Sequence, residues 1–489
     1  MTLRTLGLCV PSYNRLDNVG SRNAGTRRTK SQWYPTFLAL AVGGLNGGSR
    51  IYDAPALNDT REHTLELASK FDFVVFHPSD GSLANELAFI KELKAVQPGI
   101  LTAMAGPTAV VRNREILDQD PFIDAVFVEE YDTIVPEVAE KGGFENVKGV
   151  MYRKGADIVV NDHRDKPDIN GLPWVSKVYA RDLEIPRYYL PFVTRPYIQL
   201  YSSRGCTSRC WFCNFPQIYT NSYATGKNFG VRFRSVEDTL AEIQWIKDNL
   251  KFVKEVFIDD DTYTDIVNIK SGRFKEMTEG LGRIGLPYSV NVRADASRET
   301  LETLRNNGAR LCVTGFESHN GDVLRKMKKG TSPAQQSEYV KNVRELGLLL
   351  HACIICGNVG ETWDSINETI DWLKTVGPSC VQVAPLAGLR GTELYNEGLK
   401  TGLISTLPLF DTKGRQLTNL RQKDFSPQDV EKAVNKTLLM VLFSHKFILT
   451  QLRDSFRSGA ERERIWRNVT EFTKDAVERW RDSHFGDAR

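Results

Sequence analysis

Six apolar runs recur between residues 196 and 388, and an amphipathic stretch separates each run from the next. One such stretch, SVEDTLAEIQWIKDNL, carries its apolar residues at helical spacing. The runs are PYIQLYSSRGC, VKEVFIDDDTY, PYSVNVRAD, RLCVTGFES, LLLHACIICGNVGET and SCVQVAPLAG. Repeated pairs of a buried strand and a helix predict a partial (β/α)6 barrel over residues 196–400, with the functional residues at the carboxyl ends of its strands.

The rest of the chain divides into three regions, as a length of 489 residues leads us to expect. Residues 1–145 alternate apolar runs with helical segments, which predicts a doubly wound α/β domain. Residues 146–195 predict a hairpin, with its turn at residues 154–157, and then a linker. Residues 401–489 predict a helical region, in which residues 430–456 form one long helix. Its apolar middle packs on the barrel or, alternatively, contacts a partner or membrane surface.

Composition excludes several classes of protein. The chain has 64 Lys and Arg against 61 Asp and Glu, a formal net charge of +3, so no nucleic-acid partner is expected. We find neither a signal peptide nor a run of eighteen apolar residues. Eight cysteines, three of them clustered, favour a metal site in a reducing compartment, and we therefore predict a cytoplasmic protein.

The clustered cysteines are Cys206, Cys210 and Cys213, spaced Cys-x3-Cys-x2-Cys. Three thiolates in one loop can bind three corners of a cubane iron–sulfur cluster and leave the fourth iron open, as a catalytic metal requires. A zinc site with a distant fourth ligand is the alternative. Cys353 and Cys356 lie three apart on a predicted strand, so they point to opposite faces and cannot share a metal.

The cysteine spacing resembles the signature of the radical S-adenosylmethionine (SAM) superfamily. The resemblance implies one 4Fe-4S cluster, whose open iron is chelated by the amino and carboxylate groups of SAM. The run ACIICGNVGET resembles the strand and turn that contact adenine in relatives and commonly read G-x-x-I-x-G-x-P-G-E-T, although Ala352 and Val359 replace a glycine and the proline. The residues that this resemblance implies as SAM contacts are Phe212, Asp259, Asp260, Asn291, Arg293, Glu317, Gly357 and Gly360.

A doubly wound domain before such a barrel resembles the class of radical enzymes with a cobalamin-binding domain. The Asp-x-His-x-x-Gly signature of a lower axial ligand is absent, and cobalamin binding stays open because many members lack that histidine. The segments SRNAGTRRTKSQWYPT, YDAP and DDDTYTD resemble a narrower group. It contains hopanoid-pathway enzymes that contract a glucosamine ring and aminoglycoside-pathway enzymes that dehydrate a 1,2-diol. The resemblance covers most of residues 1–400.

The resemblance to this group implies an enzyme that abstracts a hydrogen atom from an amino sugar by means of a 5′-deoxyadenosyl radical. We predict diol dehydration that leads to deoxygenation in aminoglycoside biosynthesis, without methyl transfer. Acid–base chemistry is then needed at the hydroxyl groups, and the candidates near strand ends are Asp261, Tyr263, Glu317 and His351. The alternatives are ring contraction of a hopanoid-linked glucosamine, cobalamin-dependent methylation of carbon or phosphorus, and a non-catalytic iron–sulfur electron carrier.

Partners follow from the predicted chemistry. Electrons must come from outside the chain, so we expect a ferredoxin or a flavodoxin, and a dehydrogenase that reduces a ketone product. A small amino sugar requires no membrane contact, whereas a hopanoid substrate would favour one through the long C-terminal helix.

Overall fold

The first sheet of the computed structural model has seven strands in the order β2-β1-β3-β4-β5-β6-β7. The structure describes residues 2–11, 32–214, 226–228, 230–405, 408–411 and 416–485, with side chains as far as Lys474. Strands β1 to β5 are parallel and carry buried apolar side chains. The strands are β1 (Thr5–Cys9), β2 (Arg50–Asp53), β3 (Phe73–Phe76), β4 (Leu101–Met104), β5 (Ala125–Phe127), β6 (Val150–Lys154) and β7 (Asp157–Val160).

Along the chain, helices connect the parallel strands of this sheet, as the predicted doubly wound arrangement requires. Local signals set several helix ends; for example, Thr60 accepts a hydrogen bond from the His63 amide and caps the third helix. The helices are α1 (Thr36–Val42), α2 (Ala54–Leu57), α3 (Arg61–Ala68), α4 (Leu83–Val96), α5 (Pro107–Val111), α6 (Asn113–Gln119) and α7 (Ile134–Lys141).

The predicted hairpin forms strands β6 and β7, and it pairs antiparallel with β5. The hairpin therefore extends the first sheet. Helix α8 (Val175–Asp182) lies in the linker, where Tyr179 and Tyr188 stack on Tyr34 at ring-centroid distances of 4.3 and 4.0 Å. One buried core runs from α1 through this linker into the barrel. The predicted domain boundaries stay predictions.

The second sheet is the predicted partial barrel, six parallel strands in the order β8-β11-β12-β13-β14-β15. Each strand pairs with the next one along the chain in this order, apart from a two-stranded antiparallel pair of β9 and β10. The strands are β8 (Tyr197–Leu200), β9 (Ser203–Arg204), β10 (Arg232–Phe233), β11 (Glu255–Ile258), β12 (Tyr288–Asn291), β13 (Ala309–Glu317), β14 (Leu349–Cys356) and β15 (Cys380–Pro385).

Amphipathic helices cover the outer face of this curled sheet, which confirms the predicted α/β fold with a half barrel. Each of the longer helices buries one apolar face; α11, for example, buries Phe274, Met277 and Leu281. The barrel helices are α9 (Val236–Asn249), α10 (Ile266–Lys270), α11 (Arg273–Ile284), α12 (Arg298–Asn306), α13 (Gly321–Lys326), α14 (Pro333–Glu345), α15 (Trp363–Val376) and α16 (Glu393–Thr401).

The C-terminal region is helical, as predicted, but the prediction of one helix over residues 430–456 is wrong. The helices are α17 (Pro427–Leu442), α18 (His445–Ser455) and α19 (Gly459–Phe485). The chain breaks between α17 and α18 because the Ser444 side chain accepts a hydrogen bond from the Phe447 amide and starts a new helix. Helix α17 packs on β14 and β15 through Val430 and Val434, among others. Within the described ranges, no helix is long and apolar enough to cross a membrane.

Candidate active site at the carboxyl ends of the barrel strands

The cysteine loop begins directly after β9, close to the carboxyl end of the first barrel strand. The carboxylate of Asp261 accepts a hydrogen bond from the Gly205 amide at 2.8 Å. Asp265 accepts two more, from the amide and the hydroxyl of Thr207, at 2.9 and 2.8 Å. The residues that follow β11 therefore hold the loop on both sides of Cys206.

The three thiols of the loop are half-buried. Burial raises the pKa of the Cys206 thiol to about 11, and Asp261 adds to the rise, while the Ser208 amide donates to the sulfur at 3.4 Å and lowers it. No three His, Cys, Asp or Glu side chains in the described part of the chain converge closely enough to hold a single metal ion. A cubane cluster places each thiolate on its own iron, and three thiols spread along one loop suit that donor set.

The aromatic residues of the loop are fixed from two sides. The Trp211 amide donates to the Met327 carbonyl at 3.2 Å, and the Trp211 carbonyl accepts from the Leu394 amide at 3.0 Å. Phe212 packs in a small apolar cluster that also contains Ile355 of β14. The structure therefore brings Phe212 together with the strand that was predicted to carry the adenine-binding turn.

The acidic triplet after β11 supports the polypeptide around the loop. Asp260 is buried and accepts hydrogen bonds from the Ser202 amide, the Ser202 hydroxyl and the Ser203 amide at 2.7, 2.6 and 2.9 Å. These hydrogen bonds offset the cost of burying the carboxylate, because they replace the hydrogen bonds that its charged form would make to water. Asp260 thus fixes the chain between β8 and the cysteines.

Asp259 forms a second buried network. It accepts hydrogen bonds from the Gln199 and Asn291 amide groups at 2.8 and 3.1 Å, and from the Tyr201 hydroxyl at 3.2 Å. Asn291 also donates to the Asp260 carbonyl at 2.8 Å. The predicted SAM contacts of Asp259, Asp260 and Asn291 stay predictions, since each already binds neighbouring parts of the protein.

Two cations lie near the thiols, and the sequence analysis missed one of them. Arg293 makes a bidentate ion pair with Asp295 at 2.9 Å and donates to the Ser208 hydroxyl of the cysteine loop. Lys329 pairs with Glu317 at 2.9 Å. Burial lowers the pKa of Lys329, but Glu317 and then the Cys210 thiol raise it by more, so the ammonium stays charged. Lys329 lies in a loop after α13, where strand patterns give no signal.

The left-handed backbone of Glu317, with a φ of 66°, places its carboxylate beside Lys329 at the end of β13. Such a conformation is uncommon for a residue with a side chain and occurs where the surroundings impose it. The predicted candidate Glu317 therefore lies at a carboxyl strand end, as expected, but as part of an ion pair.

The turn after β14 keeps the predicted glycines, and Glu361 organises it. Gly357 has a φ of 90°, and a Cβ atom there would lie 2.8 Å from Val430, so the position requires glycine. The buried carboxylate of Glu361 accepts from the amides of Gly357 and Asn358 at 2.6 and 3.0 Å. Burial raises the Glu361 pKa to about 7, although these hydrogen bonds lower it. Gly360 donates its amide to Gln422 at 3.0 Å.

Two predicted catalytic candidates lie elsewhere. Tyr263 is fully buried, packs on Phe274 and bonds the Thr278 hydroxyl at 3.1 Å, so its phenol points into the layer of helix α11. His351 is the third residue of β14 and pairs in register with Cys380, the first residue of β15. His351 therefore lies near the amino end of its strand, at the opposite end from the cysteine loop, and its catalytic role stays a prediction.

The first domain contacts the cysteine loop through a buried ion-pair network. Arg204, two residues before Cys206, binds Asp132 with both amino groups at 2.7 and 2.8 Å and Glu130 at 2.8 Å. Both acids follow β5 of the first sheet, and Arg232 also pairs with Glu130. These carboxylates are nearly inaccessible to water, so each needs its arginine partner to offset the cost of its desolvation.

Aromatic side chains pack together at the same edge of the first sheet. His77, just after β3, forms a hydrogen bond with the Tyr131 hydroxyl at 2.7 Å. Its ring stacks on Phe37, with the two ring centroids 5.7 Å apart. Phe37 in turn stacks on Tyr201 of the barrel, with ring centroids 5.4 Å apart. A Cβ atom on Gly106 would lie 2.5 Å from the His77 ring, so the imidazole fills the space above this glycine. Burial lowers the His77 pKa to about 4.

This edge is where a doubly wound domain ordinarily binds its ligand. The described residues fill it with side chains that contact one another, and the only titratable imidazole among these contacts is bonded to Tyr131. Residues 12–31, which include most of the segment SRNAGTRRTKSQWYPT, lie outside the described residues.

Comparison with known proteins identifies the half barrel. Residues 200–373 match the sequence model of the radical SAM superfamily. These residues therefore form a radical SAM domain. The predicted 4Fe-4S cluster and SAM follow from this domain, which favours them over the zinc site and the simple electron carrier.

Two curated relatives and one solved structure illustrate what the chain is similar to. It is 25% identical to a putative methylthiotransferase from Methanocaldococcus jannaschii, over 73% of this chain and 76% of that protein. It is 26% identical to cytidylyl-2-hydroxyethylphosphonate methyltransferase from Streptomyces wedmorensis, over 64% of each chain. The fold matches the cobalamin-dependent SAM radical enzyme OxsB, with aqua-cobalamin and SAM bound, at a TM-score of 0.64 and 15% identity. That match covers 97% of this chain and 71% of OxsB.

Proposed function

We propose that the chain removes a hydrogen atom from a carbon of an amino-sugar-type substrate and dehydrates a 1,2-diol, without methyl transfer. The observation that carries the proposal is the packed edge of the first sheet. Phe37 contacts Tyr201 and Arg204 binds Asp132 directly, so described side chains of the first domain and of the barrel meet at the edge where a doubly wound domain ordinarily binds its ligand. The amino-sugar substrate comes from the resemblance of the segments YDAP and DDDTYTD.

The cysteine loop and its neighbours would hold the cofactors. Cys206, Cys210 and Cys213 supply three thiolates, and the cluster with SAM supplies a 5′-deoxyadenosyl radical when bound. Arg293 and Lys329 place two cations beside the thiols, where they offset the negative charge of the thiolates and suit the SAM carboxylate. Phe212 packs in one apolar cluster with Ile355 and Val359, which flank Gly357, and this arrangement supports a role for the turn in binding adenine.

Dehydration needs a base for one hydroxyl proton and an acid for the departing hydroxyl group. Glu317 and Asp261 are the described carboxylates at strand ends that suit these roles, since Glu317 lies beside a charged Lys329. After water has left, the product radical gains one electron from a ferredoxin or flavodoxin and one proton. A dehydrogenase can then reduce the ketone to a deoxygenated sugar.

The test is anaerobic reconstitution of the cluster, followed by incubation with SAM, a reductant and a panel of amino sugars, with and without cobalamin. Mass spectrometry should find 5′-deoxyadenosine in proportion to substrate and a product lighter by one water, without added cobalamin. The Cys210→Ala variant should lose both the cluster absorbance and SAM cleavage, whereas Cys353→Ala should keep the absorbance. Turnover by Cys210→Ala would contradict the assignment of the ligands.

Cobalamin-dependent methylation is the second candidate, because the phosphonate relative is named as a methyltransferase and OxsB carries a cobalamin. In that case S-adenosylhomocysteine and a methylated product would form only when cobalamin is present. A product isomeric with the substrate would instead indicate ring contraction of a glucosamine.

A further inference from the structure

Helices α17 and α18 expose a run of large apolar side chains, which we name the apolar face. Phe456 is 82% exposed and Phe443 is 69% exposed. Apolar patches of this kind on a folded protein mark surfaces that bind something. The members of the apolar face are Leu439, Met440, Phe443, Ile448, Leu449, Leu452 and Phe456.

The charges that residues 432–457 themselves expose beside the apolar face are all positive. This segment has a single acid, Asp454, which is fully buried and bound to Ser379, Arg453 and Arg457. Lys446 and Arg453 are exposed on α18. At 3.6 residues per turn, Ile448, Leu452 and Phe456 share one stripe of the helix surface, and the cations lie along its flank. An apolar stripe with a basic flank is typical of helices that lie in the surface of an anionic bilayer.

An apolar cavity of about 430 Å³ opens beside this face, between β15 and the three C-terminal helices. Phe443 and Val469 line the cavity and are also largely exposed, so they stand at its mouth. Its inner end reaches His351 and Gln382 of the barrel strands. A layer of lipid against the apolar face would therefore cover the mouth of a cavity that leads to the barrel.

We propose that the apolar face docks on the surface of an anionic lipid bilayer. A second copy of the chain is a poorer occupant, because residues 432–457 of that copy offer no exposed acid to pair with Lys446 and Arg453. Anionic lipid headgroups instead complement these cations, and the acyl region receives the apolar side chains. The docking concerns helices α17 and α18 and does not depend on which reaction the radical domain performs.

Vesicle flotation tests the proposal on the full, reconstituted chain. Wild-type protein should float with phosphatidylcholine vesicles that contain phosphatidylglycerol, and less with phosphatidylcholine alone. Leu449→Ser and Phe456→Ser should each reduce the partition coefficient about tenfold, because each removes one large apolar side chain from the contact. Lys446→Glu should reduce binding to the anionic vesicles by about fivefold or more. Phe252→Ser, at a half-exposed apolar residue before β11, is the control and should bind as the wild type does.

Two results would overturn the proposal. Wild-type protein that stays at the bottom of the gradient with both kinds of vesicle does not dock on lipid. A dimer in sedimentation equilibrium that dissociates in Phe456→Ser would assign the face to a second copy of the chain. Circular dichroism and uncoupled SAM cleavage show that each variant is folded, and loss of flotation with normal SAM cleavage separates this surface from the proposed reaction.

Discussion

A buried carboxylate organises the turn after β14, at the residue scale. Glu361 accepts hydrogen bonds from two backbone amides of the turn, yet burial raises its pKa from 4.5 to about 7. Desolvation therefore outweighs the hydrogen bonds that favour the charged form. The same residue both shapes the turn predicted to bind adenine and makes the turn sensitive to pH.

The pH dependence of folding should reveal this residue. A carboxyl whose pKa is raised on folding binds its proton more tightly in the folded state, so its contribution to stability is complete below pH 4.5 and is lost as the pH rises to about 7. The free energy of unfolding of the wild type, relative to Glu361→Gln, should fall by about 3 kcal/mol over this range and stay level above it. Urea titrations at several pH values measure this difference, and a difference that does not vary with pH would contradict the assignment.

The ion pair of Lys329 and Glu317 should show the cost of an unpaired buried charge. The two side chains are only 14% and 9% exposed. Lys329→Met leaves the Glu317 carboxylate without its partner and should cost about 3 kcal/mol of folding stability. Lys329→Met combined with Glu317→Gln removes both charges and should recover a large part of that loss, as measured by urea unfolding. A loss in the double variant equal to the sum of the losses in Lys329→Met and in Glu317→Gln alone would show that the two residues do not interact.

Sequence patterns predicted the elements well where the signal is local. The apolar runs of β8 to β15 alternate with amphipathic helices, and both the curled sheet and its order follow from that repetition. Contacts between distant segments were not accessible in the same way. Tertiary packing decides three of these contacts. The hairpin pairs with β5, the Tyr263 side chain points towards α11, and Lys329 forms an ion pair with Glu317. Which end of its strand His351 occupies also depends on where that strand begins, two residues before it, which the apolar run alone did not show.

The break between α17 and α18 could have been read from the sequence, since Ser444 is a strong helix N-cap. The apolar residues on both sides of it masked the signal. Ser444→Ala should therefore cost about 1 kcal/mol of folding stability, because the Phe447 amide loses its acceptor. Ser455→Ala, at the other end of α18, removes only a bond to a carbonyl within its own helix and should cost much less. Similar losses for both variants in urea unfolding would contradict a capping role for Ser444.

The whole molecule is held together across its two sheets by one core and by the ion pairs of Arg204. The core runs from α1 through the linker to the barrel, and the ion pairs tie β5 of the first sheet to the start of the cysteine loop. The first domain is therefore part of the structure that positions the cysteines. At its packed edge, the side chains of the first domain contact the barrel directly, and these contacts support the cysteine loop.

This coupling predicts that the two sheets unfold together, in a single calorimetric transition. Arg204→Met leaves Glu130 and Asp132 buried with fewer partners and should cost about 3–5 kcal/mol, since breaking a buried ion pair exposes the full desolvation cost of the remaining charges. The loop that begins two residues later should also hold less iron after reconstitution. Arg187→Met, the same substitution in the exposed pair with Glu184, should cost at most about 1 kcal/mol and leave the iron content unchanged. Two separate transitions in the wild type, or equal effects of the two variants, would show that the first domain does not support the cysteine loop.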